Sequence, residues 1–371
     1  MSLSILLVGD YPADPTLGSS KVFYKLQEEF TALGHRCEIV FGDEIGGPPS
    51  RQIRQAVSPW YAARAIRRRQ ARTRYDVIDA ASAEGLWADR SSAAIVCRSN
   101  GLEQLNYRRM LEDAGAGLTQ KPWTRRIWYP LSRLTQVEWA ARRAHRLLLL
   151  NTHDYDYAVG RRWQPADRVE IVAHGVSSRY LEQRPSGPQR RGAGLLFCGS
   201  WDHMKGIAYL VAAFERLHAS GRRWPLTILG PGAPESAVLG AFTPAARAFV
   251  RVAPRMPEEE VIGMYRSHDV LLWTSTYEGF GLVLLEAMSQ ELAVVTTPVG
   301  CATALVRDGE NGVVVPPRDP EAIAAAVERL MDDGTRRDRI GAAAARSVSG
   351  LTWRATAERT LDFYDKAIAS R

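Results

Sequence analysis

Long apolar runs are missing from this 371-residue sequence: no stretch of about eighteen apolar residues occurs, which excludes a membrane-spanning helix of ordinary length. Clustered cysteine is missing too. Cys37, Cys97, Cys198 and Cys301 lie far apart, a spacing that fits neither a disulfide framework nor a zinc site. No basic region or cleavage site precedes the first apolar segment, Leu3–Val8, so a cytoplasmic setting is expected. Internal repeats and low-complexity tracts are absent. The charged fraction of 24% and the hydrophobic fraction of 46% are those of a folded globular protein. The length suits two domains rather than one.

What is present alternates. Short β-rich runs at Leu3–Val8, Cys37–Phe41, Asp76–Ala80, Ala93–Arg98, Leu147–Leu150 and Val169–Val172 are separated by helix-length segments. The first such segment sets Val22, Leu26, Phe30 and Leu33 on one face, with Gly34 as a stop. From Tyr180 to Gly194 the sequence turns to Arg, Pro, Gly and Gln and reads as a linker. A second series follows, with strands at Leu195–Cys198, Leu226–Leu229, Val270–Trp273, Ala293–Thr296 and Gly312–Val315. Helices at Ile207–Ala219, Glu258–Ser267, Gly281–Gln290 and Pro320–Met331 separate them. The pattern predicts an α/β protein with two Rossmann-like parallel domains facing a central cleft, residues 1–182 and 183–351. A last helix over about 352–371 is expected to return to the first domain. Ligands of open parallel sheets bind beyond the carboxyl ends of the strands.

The formal charge of +7 is unevenly spread. From Arg51 to Arg74 there are eight arginines and no acid, and from Lys121 to Arg133 the basic residues interleave with Trp123, Trp128 and Tyr129. Basic and amphipathic aromatic residues together suit an anionic membrane surface. Nucleic acid is the rival partner for such arginines, and a solvated helix face is the ordinary reading of any charge run.

The most informative stretch runs from Ser275 to Met288. It follows an apolar strand and opens an amphipathic helix. Gly279 and Gly281 let the backbone approach a ligand, and the helix N-terminus behind them favours phosphate. Glu286 stands eight positions after Glu278. The spacing puts one carboxylate at the loop and the other more than a turn into the helix, where two carboxylates can accept from hydroxyls at opposite ends of an extended ligand.

That segment resembles the E-x7-E signature of the family 4 retaining glycosyltransferases, which have the GT-B fold. Phe197-Cys-Gly199-Ser-Trp-Asp-His-Met-Lys205-Gly206 is similar to the family's strand-Gly-loop-Lys-Gly element. Val299-Gly300 and Asp308 to Pro316 resemble its closing segment. In the N-terminal half the likeness is thinner: Gly18 after the first strand, Leu33-Gly34-His35, Arg98 to Glu103, and Val172 to Val176.

The resemblance implies roles. Glu278, with Gly279, Phe280 and Gly281, holds hydroxyls of the donor sugar. Leu282 and Val283 open the donor-binding helix, and Glu286 accepts from the ribose hydroxyls of the nucleotide. Lys205 sets a positive charge beside the leaving diphosphate, where negative charge grows in the transition state. Gly18 lets backbone N–H groups approach the donor phosphate or the acceptor, although a plain turn glycine is an equal reading. Asn100 and Gly101 fall on the acceptor side. A nucleotide-sugar donor, UDP- or GDP-linked, and a hydroxyl acceptor are the implied partners, with no nucleic acid, no cofactor and no metal. Retention in the family proceeds by same-face attack, the leaving phosphate taking the acceptor's proton.

Asp154-Tyr-Asp156 spells a metal-binding D-x-D, but in the wrong domain, and reads as a loop or helix cap. Three positions depart from the family: Ser200 stands where an arginine is usual, Asn100 where histidine is usual, and Ala304 where a glutamate is usual. Arg255 is the candidate replacement cation for the diphosphate. These departures keep open a second function, that of a non-catalytic nucleotide-sugar-binding partner subunit.

Overall fold

Ile5 and Leu7 face one side of their strand, Leu6 and Val8 the other, and all four are buried. A strand buried on both faces needs layers above and below it, as in parallel α/β sheets. The computed structural model describes residues 2–118, 123–184 and 192–371. Lys121 and most of the Arg-Pro-Gly-Gln linker lie outside the described residues, as do the side chains of Arg51 and Trp123.

The chain divides into two compact units: Met1–Tyr107, Gln120–His174 and Trp353–Arg371 form the first, and Arg108–Thr119 with Gly175–Thr352 the second. The first contains β1 (Ser4–Val8), β2 (Arg36–Val40), β3 (Val77–Ala81), β4 (Ala94–Arg98), β5 (Arg146–Leu149) and β6 (Val169–Ile171). They make one parallel sheet in the order β2-β1-β3-β4-β5-β6. The helix Gly18–Ala32 packs Val22, Phe23, Leu26 and Phe30 inward. Leu33 is its C-cap and Gly34 follows at φ +85°, a conformation that glycine adopts without steric cost. The last helix, Trp353–Ala369, belongs to this unit and packs on Gly18–Ala32, the Phe30 and Tyr364 rings being 5.8 Å apart.

Both basic stretches are largely helical in the described residues, and part of their charge is spent internally. In the helix Arg51–Gln70, Arg54 pairs with Asp10, and Arg69 with Glu38 and Glu44. The second stretch contains a π-helical turn, Pro130–Leu134. It turns Arg133 inward to Glu84 (3.0 Å) and Glu103 (2.9 Å), so this arginine is not part of a basic surface. A buried Glu84 carboxylate demands a partner, and Arg133 supplies it. Asp154 is neither loop nor cap: it lies inside the helix Thr152–Gly160, whose cap is Asn151, and it accepts from the Leu102 N–H.

The second unit contains β7 (Leu195–Cys198), β8 (Leu226–Leu229), β9 (Val250–Ala253), β10 (Val270–Trp273), β11 (Ala293–Thr296) and β12 (Val313–Val314). Their order is β12-β11-β10-β7-β8-β9, again parallel. Tyr180 is not linker: it lies in the helix Ser178–Glu182 and is buried in the second unit.

Candidate donor site in the second unit

β7 and β10 are neighbours, so the loops that leave their carboxyl ends meet. Thr276 N–H donates to the Met204 carbonyl at 2.8 Å, and the Thr274 hydroxyl to the Lys205 carbonyl at 2.9 Å. Gly206 makes this approach possible. At φ +70° its Cα faces Thr274 so closely that a Cβ would stand 1.9 Å from the Thr274 carbonyl oxygen. Lys205 closes a short 3-10 turn, His203–Lys205, capped by the Asp202 carboxylate on Met204 N–H.

From this loop pair two charged side chains converge. Lys205 Nζ donates to Glu278 Oε2 at 2.5 Å, and Ser275 Oγ approaches the same oxygen at 3.4 Å. Both charged side chains keep access to solvent, 24% for Lys205 and 16% for Glu278, so a ligand can reach each. The Glu278 loop is fixed from behind. Thr297 Oγ1 donates to the Ser275 carbonyl, Cys301 N–H donates to the Phe280 carbonyl at 2.7 Å, and Phe280 itself is buried.

Gly281, at φ +102°, then caps the helix Leu282–Ser289, whose first two residues, Leu282 and Val283, are half-buried. A Cβ on Gly281 would stand 2.4 Å from the Trp273 ring. Gly279, by contrast, has no positive φ and is buried. Glu286 sits on the inner side of this helix, 8% exposed, and accepts from Tyr265 Oη at 3.3 Å.

The remaining predicted residues divide between the units. Ser200 lies in the β7 loop, half-buried, its carbonyl accepting from Asp202 N–H. The next residue, Trp201, donates its N–H to Pro231 O in the β8 loop, and Arg255 reaches over Gly230 and Gly232 of that same loop. The β7, β8 and β9 loops are thus contiguous, and an arginine overlies them.

Gly18, Asn100 and Gly101 belong to the first unit. Gly18 opens its helix, with Leu17 as the N-cap and nothing within 4 Å of where a Cβ would be. Ser20 donates its hydroxyl to the Pro12 carbonyl. Asn100 Nδ2 donates to Tyr11 Oη at 3.1 Å, and Gly101 has φ +128°.

Sequence reading missed the tyrosines around Glu286, because Tyr180 and Tyr265 carry no motif. It also missed Asp113. This buried carboxylate belongs to the second unit, where it meets His203 Nδ1 at 3.0 Å and Arg318 at 2.9 Å. Through His203 it holds the turn that ends in Lys205. Among the described residues no group of three His, Cys, Asp or Glu side chains gathers as a metal site.

Residues 181–347 match the family described as glycosyl transferases group 1, a range that contains Lys205, Arg255, Glu278, Gly281 and Glu286. The chain is 33% identical over 223 residues to a D-inositol 3-phosphate glycosyltransferase of Acidothermus cellulolyticus, an alignment covering 55% of this chain and 49% of the relative. The match thus spans about half the length of that relative. The sucrose-phosphate synthase of Thermosynechococcus elongatus superposes over 100% of both chains with a TM-score of 0.78 at 20% identity. Anabaena HepE in complex with UDP and glucose aligns over 97% of this chain and 98% of its own, with a TM-score of 0.68 at 15% identity. At such identities the solved structures establish the fold, two Rossmann-like units of the GT-B type.

Proposed function

We propose, from the match of residues 181–347 of this GT-B chain to the group 1 glycosyl transferases, that it moves a hexose from a UDP- or GDP-linked donor to a hydroxyl acceptor, with retention and without a metal ion. The observation that carries the reading is the Lys205–Glu278 pair, 2.5 Å apart at the joined ends of β7 and β10. A cation there meets the diphosphate as its charge grows on departure, and the adjoining carboxylate accepts sugar hydroxyls. Glu286, on the helix behind, takes the ribose. The helix N-terminus at Gly281 and the Arg255 guanidinium add positive potential that a divalent ion would otherwise supply. The departing phosphate takes the acceptor's proton as the acceptor oxygen attacks the same face.

Two supports come from relatives. HepE was crystallised with UDP and glucose, and the Acidothermus relative is named for transfer to an inositol phosphate. The test is thermal-shift screening of UDP-, GDP-, ADP- and dTDP-sugars, with and without magnesium, on the wild type and Glu286→Ala. Metal-independent stabilisation by one nucleotide class, lost in the variant, is the expected result. Silence with every donor sinks the assignment.

Ser200 and Asn100 favour a second reading, a partner subunit that binds nucleotide sugar without turning it over. Donor binding with neither transfer nor donor hydrolysis, across a wide acceptor panel, is its signature.

The surface of the first unit points to the acceptor class. Ile53, Trp60, Ile127, Trp128, Leu131 and Trp139 are exposed there, beside the exposed Arg64, Arg67, Arg68, Arg72 and Arg126. The two helical stretches that carry them are joined, Gln136 Nε2 donating to Ala56 O at 2.6 Å. Such a surface fits an anionic bilayer, with a glycan or lipid-linked hydroxyl presented from it and the protein held peripherally on the cytoplasmic side. No described helix is long and apolar enough to cross a membrane. Salt-sensitive sedimentation with phosphatidylglycerol vesicles, weakened in Trp128→Ser, is the expected outcome. Equal recovery with and without vesicles removes the membrane from the proposal.

A further inference from the structure

The helix Arg51–Gln70 carries arginines on two faces, and the faces differ. Arg64 and Arg67 share the exposed side with Ile53 and Trp60, at the four- and seven-residue spacings that return a helix to one face. Arg68 and Arg69 stand three and four residues beyond the buried Ala65, and Arg72 follows just past the helix end. With Ala65, Ala71 and Glu44 these three arginines line a concavity of about 510 Å³. The volume falls in the range of small-molecule sites, roughly 300–1,000 Å³. Two alanines keep its floor low between the long side chains.

The charges in this concavity are unequal. Arg69 holds Glu44 at 2.5 Å and Glu38 at 3.1 Å, so it is neutralised from within the fold and fixed as part of the wall. Arg68 and Arg72 are not: among the described residues neither guanidinium has a hydrogen-bond or ion-pair partner. Basic residues in a last helical turn ordinarily offset the negative end of the helix. That role covers Arg67, Arg68 and Arg69, which lie in the last turn. It does not cover Arg72, which lies beyond the turn, nor the concavity that Arg68 and Arg72 share.

Two unpaired guanidiniums at one concavity suit the oxygens of a phosphate group, which the planar fork of arginine meets with two hydrogen bonds. The neighbouring face says where that phosphate comes from. Trp60 and Ile53 are 53% and 56% exposed, and Trp60 precedes Arg68 by eight residues, about 12 Å along the helix axis. A free phosphate ester has no use for exposed apolar side chains. A lipid sets its phosphate directly beside apolar chains, and amphipathic rings settle at that boundary.

We propose that the concavity lined by Arg68, Arg69 and Arg72 is a headgroup site: Arg68 and Arg72 take the phosphate of an anionic lipid while Trp60 and Ile53 enter the interface beside it. The inference rests on the bilayer-facing role proposed for the first unit, and it deepens that role from a charged surface to one lipid phosphate in one site.

The experiment is sedimentation of the full chain with phosphatidylcholine vesicles that contain phosphatidylglycerol, each variant first checked for wild-type circular dichroism and Tm. Arg68→Gln/Arg72→Gln is compared with Arg64→Gln/Arg67→Gln, which removes the same charge from the face of Trp60, and with Arg68→Lys/Arg72→Lys, which removes none. Loss of two cations from a diffuse field weakens binding on the order of thirtyfold, wherever on the surface they stood. The Arg68→Gln/Arg72→Gln variant should lose at least a further fivefold. The lysine variant should also lose about fivefold, because the charge is kept and the fork is not.

Equal losses in the two glutamine variants, with wild-type binding by the lysine variant, overturn the headgroup site and leave membrane docking standing. Wild type that stays in the supernatant with and without vesicles overturns docking and the site together. Glycerol 1-phosphate that binds wild type in solution as tightly as the vesicles do, and fails to bind Arg68→Gln/Arg72→Gln, makes the ligand a soluble phosphate ester and overturns the lipid.

Discussion

Lys205 Nζ rests on Glu278 Oε2, 2.5 Å away, at the point where the loops from β7 and β10 meet. The site is therefore self-neutralised. Under the proposed function, a diphosphate arriving at Lys205 would release the carboxylate to accept sugar hydroxyls, one event preparing both groups. The charge on Lys205 matters most when the leaving oxygen is most negative. Lys205→Ala should cut kcat by about a hundredfold to a thousandfold, with a much smaller loss of nucleotide affinity. Transfer by the variant within threefold of wild type, in steady-state assays with the donor that binds, assigns the leaving-group role elsewhere.

Two glycines separate folding from ligand approach. Gly281 holds φ +102° with the Trp273 ring 2.4 Å from where a Cβ would stand. Gly281→Ala should lose about 3 kcal/mol or more of stability, read as a large fall in Tm. Gly18, at a helix start, has nothing within 4 Å of its Cβ position. Gly18→Ala should keep or slightly raise Tm, since alanine is the better helix residue. If Gly18 serves the approach of a ligand, the same variant loses fivefold or more of its transfer rate. Full activity makes it an ordinary helix-start residue.

Much of the fold was legible because strands buried on both faces read as continuous apolar runs. β7, β8, β10 and β11 were found to the residue. β9 was not, because Val250-Arg-Val-Ala253 is an edge strand with only Val250 buried, and it leaves no such run. The helix Gly334–Val348 was also missed. Its inner face is mostly Gly341, Ala344 and Ala345, and it carries several arginines outward. At the site, the residues adjacent in sequence were legible and those joined only by folding were not. Glu278, Gly281 and Glu286 stand on one loop and helix, but Tyr180, Tyr265 and Asp113 reach it from three other elements. Arg133 was misread for the same reason: its partners, Glu84 and Glu103, are distant in sequence.

The first unit is fastened by a fully buried ion pair. Arg98 Nε donates to Asp79 Oδ2 at 2.9 Å, Tyr364 Oη donates to the same oxygen, and all three side chains are buried. Removing one partner leaves a charge buried and unpaired. Arg98→Met should cost about 3–5 kcal/mol, and Tyr364→Phe about 1 kcal/mol, the loss of one hydrogen bond. Urea unfolding of both variants checks the ranking. A cost for Tyr364→Phe equal to that of Arg98→Met would mean that the final helix, and not the ion pair, is the main fastening.

His174 gives the first unit an acid-sensitive element. The side chain is 2% exposed, its ring centroid is 5.3 Å from that of Trp353, and burial, with the Arg98 guanidinium second, pushes its pKa down to about 3. The folded imidazole stays neutral where the unfolded one, with an ordinary value of 6.5, takes a proton. The unfolded state therefore binds more protons between these values. The contribution to stability is complete above pH 6.5 and falls as the pH drops towards 3. One proton corresponds to about 1.4 kcal/mol per pH unit. Other carboxylates titrate in the lower part of that range, so the comparison is with His174→Asn, which has no proton to gain. The difference in unfolding free energy between wild type and variant should shift by about 2.5 kcal/mol between pH 6.5 and pH 4.5, wild type losing ground as acid is added. A flat difference would mean that the imidazole takes its proton in the folded state, and that the fold opens beside Trp353 to admit it.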